Sequence, residues 1–176
     1  WNWFGGYGAP TPTAWLKPVL QGDQTVEAYL GIKMEYDDSA QEAATRFRDL
    51  NLSICADGRD PLTGYTLARG RRVDGHAVTQ LLRRGTVVWS STAPADLLPT
   101  PKAGYRAWSA LRLVKTGPAV AIYLDNRLAG TYLDPDPLPG GHAALWTVKN
   151  GMVIGRVNYS AAAIQPDPLF RSEETP

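Results

Sequence analysis

Residues 25–36 read TVEAYLGIKMEY, that is Thr25, Val26, Glu27, Ala28, Tyr29, Leu30, Gly31, Ile32, Lys33, Met34, Glu35 and Tyr36. Val26, Ala28, Leu30, Ile32, Met34 and Tyr36 fall on one side of an extended chain, and Glu27, Tyr29, Lys33 and Glu35 on the other. Successive side chains of a strand point to opposite faces, so this alternation predicts a half-buried β-strand. A helix would need its apolar residues three or four apart. Two further runs repeat the pattern: residues 49–57 put Leu50, Leu52 and Ile54 inward, and residues 63–69 put Tyr65 and Leu67 on one face.

Between such runs the chain is punctuated by turn chemistry. Residues 78–82 and 86–90 flank Arg83-Arg84-Gly85, with the glycine suited to a left-handed position. Residues 108–115 and 119–124 flank Thr116-Gly117-Pro118, and Asp125-Asn126 turns the chain into residues 127–133. Residues 143–148 and 152–159 flank Asn150-Gly151, the dipeptide most typical of a tight type I′ hairpin turn. Only residues 39–48 read as helical, with Asp38 or Ser39 as cap and Ala40, Ala43 and Ala44 as helix formers; this is a short connector. Roughly ten to thirteen strands are too many for one flat sheet. The expected fold is therefore all-β, a two-sheet antiparallel jelly-roll sandwich with at most one short connecting helix. Its predicted core is Val26, Leu30, Ile32, Leu52, Ile54, Leu111, Leu113, Ile122, Leu124 and Ile154, with Trp108 and Trp146 also inside.

Composition narrows the function. With 44% hydrophobic residues the chain can bury a core, and 18 basic against 17 acidic residues leave a net charge of +1. No global field recruits nucleic acid or an anionic membrane. The basic pairs Arg71/Arg72 and Arg83/Arg84 read as solvated turn residues. Cys55 is the single cysteine, which excludes an internal disulfide and a cysteine-based zinc site. No apolar run is long enough to span a bilayer. Residues 1–164 read as one sandwich domain with an aromatic N-terminal arm at 1–14, followed by a proline-rich, acidic tail at 165–176. The start on Trp1, without methionine or a signal-like segment, reads as a processed or excised piece of a longer product, and the expected location is extracytoplasmic: periplasmic, secreted or surface.

Residues 108–128, WSALRLVKTGPAVAIYLDNRL, and 132–147, YLDPDPLPGGHAALWT, resemble the closing strands of concanavalin A-like lectin/glucanase domains, the superfamily that includes laminin-G-like and pentraxin-like modules. The matching positions are the strand-opening Trp108, the turn glycine Gly117, the aspartate-led turn at Asp125 and the glycine-rich Gly140-Gly141. The resemblance extends over residues 25–161. It implies the sandwich, but this fold hosts lectins, hydrolases, lyases and purely structural domains alike, so function has to be argued from sites.

Laminarinase-type relatives carry two glutamates and an aspartate alternating on one strand, because a retaining glycosidase needs its two carboxyl groups about 5–5.5 Å apart. The nearest stretch here, Glu35-Tyr36-Asp37-Asp38, has no second glutamate, and Glu27 and Glu35 stand eight strand rises of about 3.3 Å apart. No serine elbow, P-loop or dinucleotide fingerprint occurs, and Gly5-Gly6-Tyr7-Gly8 lacks the lysine of a phosphate loop. His76 and His142 read as polar turn residues. No catalytic residue is assigned, and the chain is expected not to be an enzyme. Calcium-holding loops in the relatives imply Ca²⁺ as the one candidate cofactor, with Asp134, Asp136 and Asp125 as ligands; Asp37-Asp38 and Asp57 with Asp60 are further oxygen pairs.

The aromatic content, 6 Trp, 8 Tyr and 3 Phe, is the strongest ligand signal, since sugar rings stack their C–H faces on indoles. Trp1, Trp3, Phe4, Tyr7, Trp89 and Phe170 are the expected ligand or partner surface. The expected function is a non-catalytic, lectin-like module recognising a glycan or a partner protein. The alternative is an accessory or structural subunit of a larger extracytoplasmic or membrane-associated complex, docking through its terminal arms.

Overall fold

The computed structural model describes residues 4–6, 11–32, 49–98, 108–148 and 150–166, the first three by backbone alone. Twelve strands follow in chain order: β1 Phe4–Gly6, β2 Thr13–Trp15, β3 Val19–Ile32, β4 Leu50–Ala56, β5 Tyr65–Val73, β6 His76–Arg83, β7 Thr86–Ser91, β8 Trp108–Thr116, β9 Ala119–Leu124, β10 Arg127–Leu133, β11 Gly140–Trp146 and β12 Met152–Gln165. Two short 3₁₀ turns, Pro61–Thr63 and Pro94–Asp96, are the only helical pieces among the described residues. The connector at 39–48 and the strand residues 33–36 lie outside them.

Every strand pairing is antiparallel. One layer runs β1-β12-β3-β8-β9-β10; the other runs β2-β11-β4-β5-β6-β7. Strand β11 belongs to both. Gly140 and Gly141 pair with Gln21 and Leu20 of β3, after which Ala144, Leu145 and Trp146 pair with β2 and β4. Crossing between layers brings three backbones together. A Cβ on Gly141, where φ is 150°, would sit 2.4 Å from the Ala56 carbonyl oxygen. Only glycine admits that approach.

The core forms where the alternating faces of the layers meet. Val26, Ala28 and Leu30 of β3, Leu111 and Leu113 of β8, and Ile122 and Leu124 of β9 face Leu50, Leu52 and Ile54 of β4, Tyr65 and Leu67 of β5, Leu81 of β6 and Leu145 of β11, all buried. Fully burying one such side chain is worth roughly 1.5–3 kcal/mol. Ile32 and Ile154 are half-buried at its margin.

Four local expectations are corrected. Asn150-Gly151 does not close a hairpin, because β11 and β12 do not pair. The Asn150 side chain is drawn instead into a polar cluster, accepting from Thr147 Oγ1 (2.6 Å) and donating to the Asp49 carbonyl (3.2 Å). The strand that follows runs on to Gln165 rather than stopping at 159. Trp108 is not core but 42% exposed. By strand parity, Ser109, Leu111 and Leu113 point inward and Trp108 outward, where it stacks on Tyr29 at 5.1 Å and 11°. Arg83 is not a solvated turn residue, since its Nε lies 2.5 Å from Asp134 Oδ2. The turns that do close tightly are Asp74-Gly75, Arg84-Gly85 and Asp125-Asn126, each with both residues at positive φ, the signature of type I′ loops that match the twist of the strands they join.

Candidate functional site

The outer face of the second layer is unusually polar for a buried surface. Register places Trp146, Asn51, Ala68 and Gln80 side by side across β11, β4, β5 and β6, and Ser53, Thr66 and Leu82 in the next row. Their sequence neighbours Leu50, Leu52, Leu67 and Leu145 face the core, so by parity this set faces away from it. A cavity of about 630 Å³ opens over this face. Asn51, Thr66, Ala68, Leu82 and Trp146 form its buried floor; Thr11, Thr13, Arg59, Asp60, Pro61, Leu62, Arg71 and Arg72 rise around it, and Asp49 and Val148 close one end.

The floor is fixed by its own hydrogen bonds. Trp146 Nε1 donates to Ser53 Oγ (2.9 Å), which shares a hydrogen bond with Thr66 Oγ1 (2.9 Å); Thr66 Oγ1 also donates to the Pro61 carbonyl (3.0 Å). This locks the indole in place. Asp49 is tied to the fold: Oδ2 accepts from Asn51 Nδ2 (2.5 Å) and Oδ1 from the Val148 N–H (2.9 Å), with Thr147 Oγ1, whose one proton is shared with Asn150 Oδ1, also 2.9 Å from Oδ1. The exception is Asn51. It is 1% exposed, and its Oδ1 has no hydrogen-bond partner among the described residues and essentially no accessible surface, so it is an internal feature of the floor and not a group the cavity offers.

One wall is a braced loop. Asp57 Oδ1 accepts from the Arg59 and Asp60 N–H groups (2.8 Å each), Asp57 N donates to Thr63 Oγ1 (2.9 Å), and Asp60 Oδ1 caps the Leu62 N–H (2.8 Å). The backbone N–H groups of Asp60 and Arg59 hold the Asp57 carboxyl below its usual range. Arg59 and Leu62 are thus presented from a fixed backbone.

The other residues singled out in the sequence are dispersed. Asp134 is buried and accepts from Tyr65 Oη (2.5 Å), Arg83 Nε (2.5 Å) and the Asp136 N–H (3.0 Å). Burial pushes its carboxyl up, but the bonds from Tyr65, Asp136 and Arg83 prevail and hold it below the usual range. Asp136 shares Arg83. Asp125 stands apart, with Oδ2 2.7 Å from the buried Arg69 Nη1 and Oδ1 accepting the Ala110 N–H (2.9 Å). These carboxylates face guanidinium groups, and no group of three or more His, Cys, Asp or Glu among the described residues is arranged to hold a metal ion. His142 is buried against Trp15, while His76 is exposed at the tip of the β5–β6 hairpin. Trp89, expected on the ligand or partner surface, packs half-buried against the core, its ring over Gly130. Phe4 lies in β1 opposite Ile154 with its side chain undescribed; Trp1, Trp3, Tyr7 and Phe170 lie outside the described residues.

Sequence reasoning missed the cavity residues Asn51, Arg59, Arg71 and Trp146. For Asn51 a signal existed, since placing Leu50 and Leu52 inward turns Asn51 outward. Nothing local joined it to Arg59, Arg71 or Trp146.

No protein-family model and no curated protein matches this chain. Solved structures do. The carbohydrate-binding module CBM66 from Bacillus subtilis is similar at 18% identity with a TM-score of 0.60, over 89% of this chain and 86% of that one. The exoplasmic/lumenal domain of VIP36, in a Ca²⁺/Man-bound form, is similar at 10% identity and TM-score 0.56, over 89% and 79%. Sheep galectin-11, in complex with glycerol, is similar at 11% identity and TM-score 0.51, over 88% and 100%. At these identities the likeness shows the fold, a concanavalin A-like sandwich.

Proposed function

We propose that this protein is a non-catalytic, lectin-like module that binds a carbohydrate in the cavity on the outer face of its second layer. The observation that carries this reading is a cavity of about 630 Å³ with the hydrogen-bonded indole of Trp146 in its floor and polar side chains around it, within the usual range of about 300–1,000 Å³ for small-ligand sites. Saccharides suit such a place, because they bring hydroxyl groups for the polar side chains around the cavity and an apolar ring face for the exposed part of Trp146. The structural neighbours named for carbohydrate binding support it. Asp49 supports the non-catalytic part, since both its carboxylate oxygens are committed to donors of the fold itself. An extracytoplasmic location belongs to the same proposal; the lumenal domain among the neighbours supports it. The test is a glycan array followed by calorimetric titration of the best binder. Binding to no glycan on the array overturns the reading.

One observation favours the alternative of an accessory or structural subunit. Beyond Ile154, β12 pairs only with β3 among the described residues. Residues 157–165 of this strand contain no charged side chain, and Tyr159 and Ile164 are 44% and 51% exposed. A long, uncharged strand edge is a template for adding a strand from another chain.

A further inference from the structure

Three arginines, Arg59, Arg71 and Arg72, line the cavity with two aspartates, a formal surplus of one positive charge. Arg72 has an interaction of its own. Asp49 is bonded to Asn51, Thr147 and Val148, and Asp60 has one oxygen on the Leu62 N–H. Arg59 and Arg71 are exposed, and neither guanidinium makes a hydrogen bond or ion pair among the described residues.

The placement of Arg71 is a product of the fold. In a regular strand, residues 69 and 71 share a face, and Arg69 points into the molecule, where its Nη1 meets Asp125 at 2.7 Å and its Nε donates to the Asp96 carbonyl at 3.1 Å. The register of β5 against β6 shifts between Arg69 and Arg71, with Gly70 at φ 86°. Arg69 therefore pairs with the inward Thr79, and Arg71 with Val78, one position out of phase. A β-bulge re-aims the side chains that follow it; this one turns Arg71 from the core side to the cavity side. Arg59 lines the same cavity, presented by the loop that Asp57 braces. Two guanidinium forks on separately fixed backbones in one cavity match a saccharide bearing an anionic group, because the planar fork pairs bidentately with carboxylate or sulfate oxygens.

We propose that the cavity selects acidic saccharides, Arg59 and Arg71 holding the anionic group, a uronate carboxylate or a sulfate ester. This rests on the carbohydrate-binding reading above and adds the ligand's charge to it. The test is calorimetric titration of the full chain with trigalacturonate, with its neutral methyl ester, and with a chondroitin 4-sulfate disaccharide, at low and raised salt. At least one acidic ligand is expected to bind about tenfold or more tighter than the methyl ester, with affinity falling as salt rises. Binding of trigalacturonate shows that a carboxylate suffices; binding of the chondroitin disaccharide alone, which carries a uronate besides its sulfate ester, shows that the sulfate is needed. In the double variant Arg59→Gln/Arg71→Gln, at two exposed positions, the preference for the charged ligand is expected to disappear. A methyl ester bound as tightly as the acid, or a preference that survives the double variant, overturns the proposal and leaves carbohydrate binding standing. Failure of these three ligands and of every glycan on the array overturns both.

Discussion

Cys55, the last residue but one of β4, is left-handed, φ 57°, and 6% exposed, with Gln24 Nε2 3.3 Å from its sulfur. Burial pushes its thiol up to about 12, against a smaller opposite pull from Lys115. The thiolate is the reactive form, so at neutral pH the native protein should react with a thiol-exchange reagent orders of magnitude more slowly than the guanidinium-unfolded chain. Comparable rates in the two states would disprove this shielding. Asp96 and Asp134 govern the acid limb. In both, burial raises the carboxyl but hydrogen bonds prevail, from Ser91 and Arg127 in one and from Tyr65 and Arg83 in the other, leaving each below its usual range. A depressed carboxyl contributes stability above its unfolded value of about 3.9, and that contribution is lost as pH falls through the folded value. The melting temperature should therefore decline as pH drops below about 4, and Asp134→Asn should both lower it at neutral pH and flatten that decline. An acid limb unchanged in Asp134→Asn would remove Asp134 from the account. Since Arg83 already occupies Asp134 and Asp136, calcium added at neutral pH should leave the melt unmoved; a rise would show cation binding.

Strand parity was legible, because a half-buried strand writes its two faces into the sequence. Val26, Ala28 and Leu30 alternate with Glu27 and Tyr29, and the structure buries the first set fully. Turn chemistry was legible where the turn is self-sufficient. Arg84-Gly85 and Asp125-Asn126 close by local backbone preference alone. Asn150-Gly151 carried the same local signal and failed, because Thr147 and Asp49 compete for the Asn150 side chain from outside the turn. The Gly70 bulge left no trace either, since a register shift is a property of two strands. The crossing of β11 gives the element-scale test. Gly141→Ala introduces a Cβ 2.4 Å from the Ala56 carbonyl oxygen at φ 150°. The cost should be about 2–4 kcal/mol from strain and overpacking, a fall of roughly 4–16 °C in melting temperature for a chain of this size. A near-wild-type melt would mean that the layers are not joined through this strand. Ile122→Ala, by contrast, creates a cavity in the shared core and should cost about 2–5 kcal/mol.

At the scale of the molecule, the two-layer architecture followed from counting alternating runs, but the cavity could not. It draws on residues 11–13, 49–51, 59–62, 71–72 and 146–148, stretches that meet only once β11 has been inserted between β2 and β4. The same topology leaves β12 at the margin. Its partner β3 is flanked on the other side by β8, whereas among the described residues β12 is covered only by β1, opposite Met152, Val153 and Ile154. Protein edges are ordinarily blunted by charge or proline, and residues 157–165 offer neither. If this edge takes up a second copy, the measured mass should rise with concentration in light scattering. Lysine at two exposed positions, Tyr159→Lys/Ile164→Lys, should return the protein to a monomer without changing its circular dichroism spectrum or lowering its melting temperature by more than a few degrees. A wild-type chain that stays monomeric at every concentration rules out self-pairing at β12, and a double variant that associates as before places the contact elsewhere. Because the cavity and β12 lie on different strands, sugar binding should be the same in the monomeric variant, so that assembly and recognition can be measured separately.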